Sequence, residues 1–449
     1  MEKQLIFQIG VRDAQNSDRE DTHQDPLLNQ NHAALSTLDD VACYSVWPGT
    51  APESDQFRIH YPEQSLSALF SSIGTQGRVD LPEHHWTNGI PYKSFEHFVE
   101  QAIREIETLE ERALDLIVCY GNEVSAWVVA TINARRLAQG LPETSILYVT
   151  SGDAQPATPD FNSWLKESGL FGENSPIHVC TASSSEGIEH FSTRHPDYPA
   201  DRLLDHQPGY NASLYRPDPG AYSHRKEFLQ TLLLHGSNNG PTAIDVNCEK
   251  IVAVNAYDSD QSFLESVITA AQSFEASQNA ATLLLCDNNT DVVAALQKLA
   301  YEELHLQHIY FLRPQKEEVV AKLNAMSDVG IQLVRNPEEV MSLLQFLGCG
   351  TPVVAYAEDS DSGIVDDDTG RLILPCKQAM LTAHLDSAIN EALESNWKIS
   401  KGSLAATVAM EQYSRASQCE KLLREADYCI AHSDSFTQHP DLLRQSILY

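Results

Sequence analysis

The chain has 449 residues, and its 63 acidic side chains outnumber its 30 basic ones, which gives a formal charge of −33. At roughly 150 residues per domain, this length predicts two or three domains, and the 42% apolar content excludes a disordered or collagen-like chain. So large a negative charge repels phosphate backbones and anionic lipids, and we expect neither a nucleic-acid nor a membrane partner.

The sequence also bears on compartment and on metal binding. No stretch approaches the roughly 18 consecutive apolar residues of a membrane span, and the apolar run after Met1 is too short for a signal peptide. We therefore expect a cytoplasmic protein. Its nine cysteines include no C-x-x-C pair, which predicts neither a disulfide framework nor a zinc knuckle. His305 and His308 lie three residues apart without a third ligand nearby in the sequence, so no metal site is predicted.

Short apolar, β-rich runs recur along the chain, and many precede a helical stretch, which is typical of parallel α/β units. The first set of predicted strands begins at Gln4, Asp40, Phe57, Leu114, Ser145 and Pro176. The second set begins at Lys250, Ala281, His308, Gly330 and Thr351. Two doubly wound sheets fit this pattern better than one.

Helical spacing of apolar residues predicts a helix over residues 96–113 and another over residues 420–430. Between the two sets of strands, residues 207–225 hold three prolines and two glycines, which deny regular structure and favour a hinge. We predict an N-terminal domain over residues 1–215, a second domain over residues 216–415, and a C-terminal helical segment over residues 416–449 that returns toward the first domain.

The segment over residues 349–375, CGTPVVAYAEDSDSGIVDDDTGRLILP, resembles the donor-site region of family-four GT-B glycosyltransferases, especially the sucrose-phosphate synthase group. The hinge sequence QPGYNASLYRPDPG and the strand KIVAVNAYD are similar to two further motifs of that group. The resemblance implies an α/β fold of the GT-B type, in which two Rossmann-like domains face a cleft and the C-terminal domain binds a nucleotide sugar.

The resemblance also assigns positions to the donor site, and most of them are altered. Where the family places an Arg and a Lys that bind the diphosphate, this chain has Ala256 and Gln261. The paired glutamates of the family correspond to Pro337 and Gln345, with Glu338 or Glu339 as a possible substitute for the first. An acidic pair that begins a helix is more often simple first-turn charge.

The Gly-Gly turn of the family corresponds to Glu358, Asp359, Ser360 and Asp361, whose side chains and negative charge are unfavourable to a diphosphate. In the first domain, Cys119 replaces the histidine of the acceptor motif, and Thr150 replaces the histidine of the catalytic-region motif. The resemblance therefore implies a degenerate active site.

Two classes of function remain open. The first is a catalytically degenerate protein that acts as a binding or regulatory subunit, without a cofactor, in a homo- or hetero-oligomer with an active glycosyltransferase. The second is an active retaining glycosyltransferase that moves a hexose from a nucleotide sugar such as UDP-glucose to a sugar or phosphosugar acceptor. We favour the first, because positions in both domains have lost the family's chemistry together.

Overall fold

The computed structural model describes residues 4–10, 31, 34–35, 38, 41–46, 90–121, 123–150, 166, 168–182, 185–206, 209–221, 223–236, 240–257, 260–286, 290–335, 337–357 and 364–432. The chain divides into two compact units. Unit 1 comprises residues 1–208 and 418–449, and unit 2 comprises residues 209–417.

Unit 1 is built on a parallel sheet of six strands, in the order β2-β1-β3-β4-β5-β6. The strands are β1 (Gln4–Gly10), β2 (Val41–Val46), β3 (Leu116–Gly121), β4 (Ser145–Thr150), β5 (Val179–Ala182) and β6 (Leu203–Asp205). The helices are α1 (Ile90–Glu110), α2 (Glu123–Ala138), α3 (Ser185–Arg194) and the last described helix of the chain, α12 (Arg415–His432).

Both faces of this sheet are covered, as continuous apolar strands require. Alternate residues of β1, such as Leu5 and Phe7, pack with α1 and α2, whereas Ile6 belongs to a second core on the opposite face. Helix α12 contributes Leu422 and Ala426 to that second core, beside β2 and β3. Residues late in the sequence therefore complete the core of unit 1.

Unit 2 holds a second parallel sheet of six strands, in the order β12-β11-β10-β7-β8-β9. The strands are β7 (Lys250–Asn255), β8 (Ala280–Leu285), β9 (Ile309–Leu312), β10 (Val329–Val334), β11 (Val353–Ala357) and β12 (Gly370–Ile373). The helices are α4 (Arg225–Leu229), α5 (Gln261–Gln278), α6 (Thr290–Lys298), α7 (Glu317–Met326), α8 (Pro337–Gly348), α9 (Gln378–Glu394), α10 (Trp397–Ser400) and α11 (Gly402–Tyr413).

Helices cover both faces of this sheet, as in unit 1. Val252 and Val254 of β7 share a core with α5 and α9, whereas Ala253 belongs to a core with α7, α8 and α11. The prediction of two doubly wound α/β sheets is confirmed. The strand predicted to begin at Phe57 lies outside the described residues.

Some element boundaries differ from the prediction. Helix α1 ends at Glu110 rather than at Ala113, because Glu111 adopts a left-handed backbone conformation (φ 56°) that cannot continue a helix. Strand β6 was not predicted, since three residues are too few to show a hydrophobic pattern. Helix α12 begins five residues before the predicted start at residue 420 and extends two residues beyond its predicted end.

Candidate functional site

The order of the strands in unit 2 reverses between β7 and β10. From β7 the chain moves outward to β8 and β9, then returns to place β10 on the other side of β7. Ligands of open parallel sheets bind at such a switch point, beyond the carboxyl ends of the strands. The candidate site of unit 2 is therefore the region where β7 ends at Asn255 and β10 ends at Val334.

The two positions assigned to diphosphate-binding cations lie on the β7 side of this switch point. Ala256 directly follows β7, is 6% exposed, and donates its backbone N–H to the carbonyl of Leu285 over 2.9 Å. Gln261 is the first residue of α5, and its Nε2 donates to Oε1 of Glu265, one turn further along the helix, over 2.8 Å. Neither side chain carries positive charge.

Asp260 adds a negative charge at the same place. It caps α5, and its Oδ1 accepts hydrogen bonds from the backbone N–H of Ser262 (2.6 Å) and of Phe263 (3.3 Å). The hydrogen bond from the Ser262 side chain lowers the pKa of Asp260, and the charge of Arg335 lowers it further. The start of α5, where a phosphate would approach free N–H groups, is thus occupied by an ionised carboxylate.

Arg335 directly follows β10 and brings a cation to the switch point. Its guanidinium is bound to Glu339, with Nη2 at 2.8 Å and Nε at 3.2 Å from Oε1. The backbone N–H of Arg335 donates to the other oxygen of the same carboxylate over 2.5 Å. The Glu339 side chain is 6% exposed and that of Arg335 is 28% exposed. One buried carboxylate therefore neutralises and orients this guanidinium.

The remaining positions that the resemblance assigns to the donor site lie in α8 and in the segment after β11. Gln345 lies half-buried in α8, and Glu338 lies in the first turn of the same helix. Glu358, Asp359 and Ser360 lie outside the described residues. The carboxylate of the second candidate glutamate, Glu339, is bound to Arg335.

An aromatic pair forms an apolar wall near the switch point. Phe263, in the first turn of α5, stacks on Tyr356 near the end of β11, with ring centroids 6.1 Å apart and planes 10° from parallel. Phe263 is 2% exposed. This pair links α5 to β11.

The D-x-x-T-G motif forms a closed turn just before β12. Oδ1 of Asp366 accepts from the backbone N–H of Asp368 (2.9 Å) and of Thr369 (3.0 Å) and from the Thr369 hydroxyl (3.0 Å). A Cβ on Gly370 would lie 2.0 Å from the carbonyl oxygen of Val353, so only glycine fits there. The motif positions the edge strand β12, and the side chains of Asp366 and Thr369 are engaged within it.

In unit 1, the positions assigned to acceptor chemistry lie on β3 and β4. Thr150 ends β4 and is half-buried. Cys119 is fully buried in β3, and burial raises the pKa of its thiol far above the usual range. The Tyr120 hydroxyl donates to Oε1 of Gln8 over 2.8 Å and accepts from the amide of Asn31 over 3.0 Å. These contacts support the packing of β1 and β3.

A cavity of about 810 Å³ lies in unit 2 at the opposite, amino-terminal edge of the sheet. Lys398 lines it, and its ammonium donates to the Thr351 hydroxyl (2.6 Å) and to the Cys349 carbonyl (3.3 Å). Burial lowers the pKa of Lys398 to about 8. The cavity includes neither Ala256 nor Arg335, so it is separate from the switch point.

Comparison with known proteins shows which chains share this architecture. A glycosyltransferase from Rickettsia africae ESF-5 superposes with a TM-score of 0.58 at 12% identity, covering 96% of this chain and 100% of that one. The chain has the GT-B glycosyltransferase fold. Anabaena Alr3699/HepE, solved in complex with UDP and glucose, superposes with a TM-score of 0.52 at 13% identity, covering 94% of this GT-B chain and 99% of its own.

A family known from sequence matches part of the GT-B chain. Residues 242–403, within unit 2, match the family described as glycosyl transferases group 1. A sucrose-phosphate synthase from Thermosynechococcus elongatus is 16% identical over 96% of this chain and 100% of that one, with a TM-score of 0.48. No curated protein is significantly similar in sequence. The predicted resemblance to GT-B glycosyltransferases is confirmed.

The sequence did not point to Arg335 as a member of the site. The signal was a charged pair four residues apart, R-N-P-E-E. Among the described residues, none of the helices is long and apolar enough to cross a membrane.

Proposed function

We propose that the protein is a catalytically degenerate relative of the GT-B glycosyltransferases that acts as a binding or regulatory subunit. The observation that carries this proposal is the state of the switch point in unit 2. Ala256 and Gln261 bring no charge, Asp260 brings a negative charge, and the Arg335 guanidinium is bound to Glu339. A nucleoside diphosphate would meet a carboxylate where it needs cations.

The expected loss of affinity follows from the missing contacts. A charge-assisted hydrogen bond contributes about 1.5–3 kcal/mol, so the absence of two cations costs roughly 3–6 kcal/mol. That free energy corresponds to roughly 150- to 20,000-fold weaker binding. Freeing Arg335 to compensate would leave the buried Glu339 carboxylate without its partner, which is itself costly.

Isothermal titration calorimetry with UDP, ADP and UDP-glucose tests the proposal. We expect no dissociation constant below about 1 mM for any of the three, which corresponds to a binding free energy weaker than about −4 kcal/mol. An Ala256→Arg/Gln261→Lys variant rebuilds only part of the site, so it should not regain transfer activity. A micromolar dissociation constant for UDP-glucose that Ala256→Asp abolishes would contradict the proposal.

A non-catalytic subunit needs a partner, and we propose an active glycosyltransferase as a homo- or hetero-oligomeric partner in the cytoplasm. The association should bury a standard interface of about 1,600 Å² and be independent of nucleotide sugar. Co-purification from the native host, followed by sedimentation analysis, tests this. A chain that purifies alone as a monomer and transfers sugar to a phosphorylated acceptor would refute it.

The second candidate is an active retaining glycosyltransferase that uses a nucleotide sugar and a sugar or phosphosugar acceptor. The match of residues 242–403 to glycosyl transferases group 1 favours it. HepE, which has a similar fold, was solved with UDP and glucose. Release of UDP from UDP-glucose, measured with a panel of sugar phosphates, separates the two candidates, because only an active enzyme gives acceptor-dependent turnover.

A further inference from the structure

Three potential metal ligands from distant parts of the sequence meet at the amino-terminal edge of the unit 2 sheet. Asp245 and Cys248 lie in the loop before β7, and His308 directly precedes β9. One carboxylate oxygen, the thiol sulfur and one imidazole nitrogen all lie within 4.8 Å of one another. This cluster belongs neither to the switch point nor to the cavity lined by Lys398.

The backbone around the cluster holds the ligands in place. Oδ1 of Asp245 accepts from the backbone N–H (2.9 Å) and the side-chain amide (3.0 Å) of Asn247. The backbone N–H of Asp245 donates to the Tyr310 hydroxyl over 2.8 Å. The other oxygen, Oδ2, lies 3.9 Å from Nδ1 of His308. The loop turn therefore fixes one carboxylate oxygen and presents the other to the imidazole.

The other two candidate ligand atoms are Nδ1 of His308 and the sulfur of Cys248. Nδ1 of His308 is buried and has no hydrogen-bond partner among the described residues. Cys248 is a free cysteine and is 7% exposed. The side chains of His308 and Asp245 are 28% and 40% exposed, so an ion can reach the cluster from solvent. A buried ring nitrogen that makes no hydrogen bond, beside a thiol and a carboxylate, favours a bound ion.

We propose that Asp245, Cys248 and His308 bind a divalent transition metal of the zinc class. Sulfur and nitrogen donors select zinc or cobalt over magnesium and calcium, which prefer all-oxygen sites. In a tetrahedral site with bonds of about 2.0–2.3 Å, ligand atoms lie roughly 3.4 Å apart, so small side-chain rotations close the cluster around the ion. A water molecule takes the fourth position, and the Cys248 thiol releases its proton to solvent when the sulfur–metal bond forms.

Such an ion would connect the loop before β7 to the start of β9, which are separated by about 60 residues of sequence. Its expected role is structural, because the cluster lies at the edge of the sheet opposite to the switch point. Metal binding would then stabilise unit 2 without requiring nucleotide sugar.

Cobalt titration of the full chain, purified under reducing and metal-free conditions, tests the proposal. We expect one cobalt ion per chain, a near-ultraviolet thiolate-to-cobalt charge-transfer band, and loss of that band when zinc is added. Cys248→Ser should abolish the band, and His308→Gln should weaken binding by more than about 10-fold, since even outer-shell changes cost 10- to 100-fold. Cys376→Ser and His384→Gln, which change a half-buried cysteine and an exposed histidine outside the cluster, are the matched controls and should bind cobalt as wild type does.

Asp245→Asn provides a second variant that keeps the turn, because an amide oxygen still accepts the hydrogen bonds from Asn247. It should fold normally by circular dichroism and bind cobalt more than about 10-fold more weakly. Absence of the band in wild type, an unchanged band in Cys248→Ser, or equal affinity of Asp245→Asn and wild type would each overturn the proposal.

Discussion

Replacing Glu339 with Gln removes the charge of a nearly buried carboxylate while keeping its size. The carboxylate accepts three hydrogen bonds from Arg335, two of them from the guanidinium, and is 6% exposed, whereas the Arg335 side chain is 28% exposed. Removing one partner of a fully buried pair costs about 3–5 kcal/mol. Because the guanidinium is partly solvated and Gln still accepts the backbone hydrogen bond, we expect a loss of roughly 2–3 kcal/mol.

Thermal unfolding by calorimetry measures this loss in the transition of unit 2. For a unit of this size, about 1 kcal/mol shifts the midpoint by roughly 2–4 °C, so Glu339→Gln should lower it by roughly 4–12 °C. The matched control is Glu318→Gln, which makes the same change at an exposed position in the first turn of α7 and should shift the midpoint by less than about 2 °C. Equal midpoints for the two variants would refute the assignment of Glu339 as a buried partner of Arg335.

Two further predictions concern unit 2. Gly370→Ala places a Cβ 2.0 Å from the Val353 carbonyl oxygen and should destabilise unit 2 by more than about 3 kcal/mol, as measured by calorimetry. The control is Gly236→Ala, whose Cβ meets no atom within 4 Å and which should be near neutral. Comparable unfolding midpoints for the two variants would contradict this prediction. Burial lowers the pKa of Lys398 from an ordinary 10.5 to about 8. Between pH 8 and pH 10.5 the unfolded state therefore binds more protons than the folded state, and the free energy of unfolding should rise with pH across that window. Lys398→Met should lose that rise when midpoints are compared at pH 7.5 and pH 10, and an unchanged pH dependence would show that Lys398 does not contribute to it.

The sequence was sufficient to predict the architecture because buried parallel strands are continuous apolar runs. β8 (Ala280–Leu285) and β10 (Val329–Val334), buried at every position, were visible as mainly apolar runs, each with one polar residue, Thr282 and Gln332. The short edge strand β6 was not visible, because Leu203–Asp205 offers two apolar residues and no period. Helix limits depend on backbone conformations such as that of Glu111, which no propensity of glutamate indicates.

Site residues could be predicted only where a sequence motif assigns their positions. Ala256 and Gln261 could be assigned because they follow a recognisable strand, and they lie at the switch point of the sheet. The pairing of Arg335 with Glu339 depends on the angle at which β10 leads into α8, which the sequence does not specify. Side chains that meet through folding alone, such as Cys248 and His308, give no sequence signal at all.

The division of unit 1 into two segments has a consequence for synthesis on the ribosome. Its sheet is made first, but Leu422 and Ala426, which complete one of its cores, are made after all 209 residues of unit 2. At a synthesis rate of about 5–20 residues per second, roughly 10–40 s pass between the synthesis of the sheet and that of helix α12. During that interval unit 2 can fold as a contiguous segment while one face of the unit 1 sheet is only partly covered, so unit 1 is the part of the newborn chain that most needs protection from aggregation.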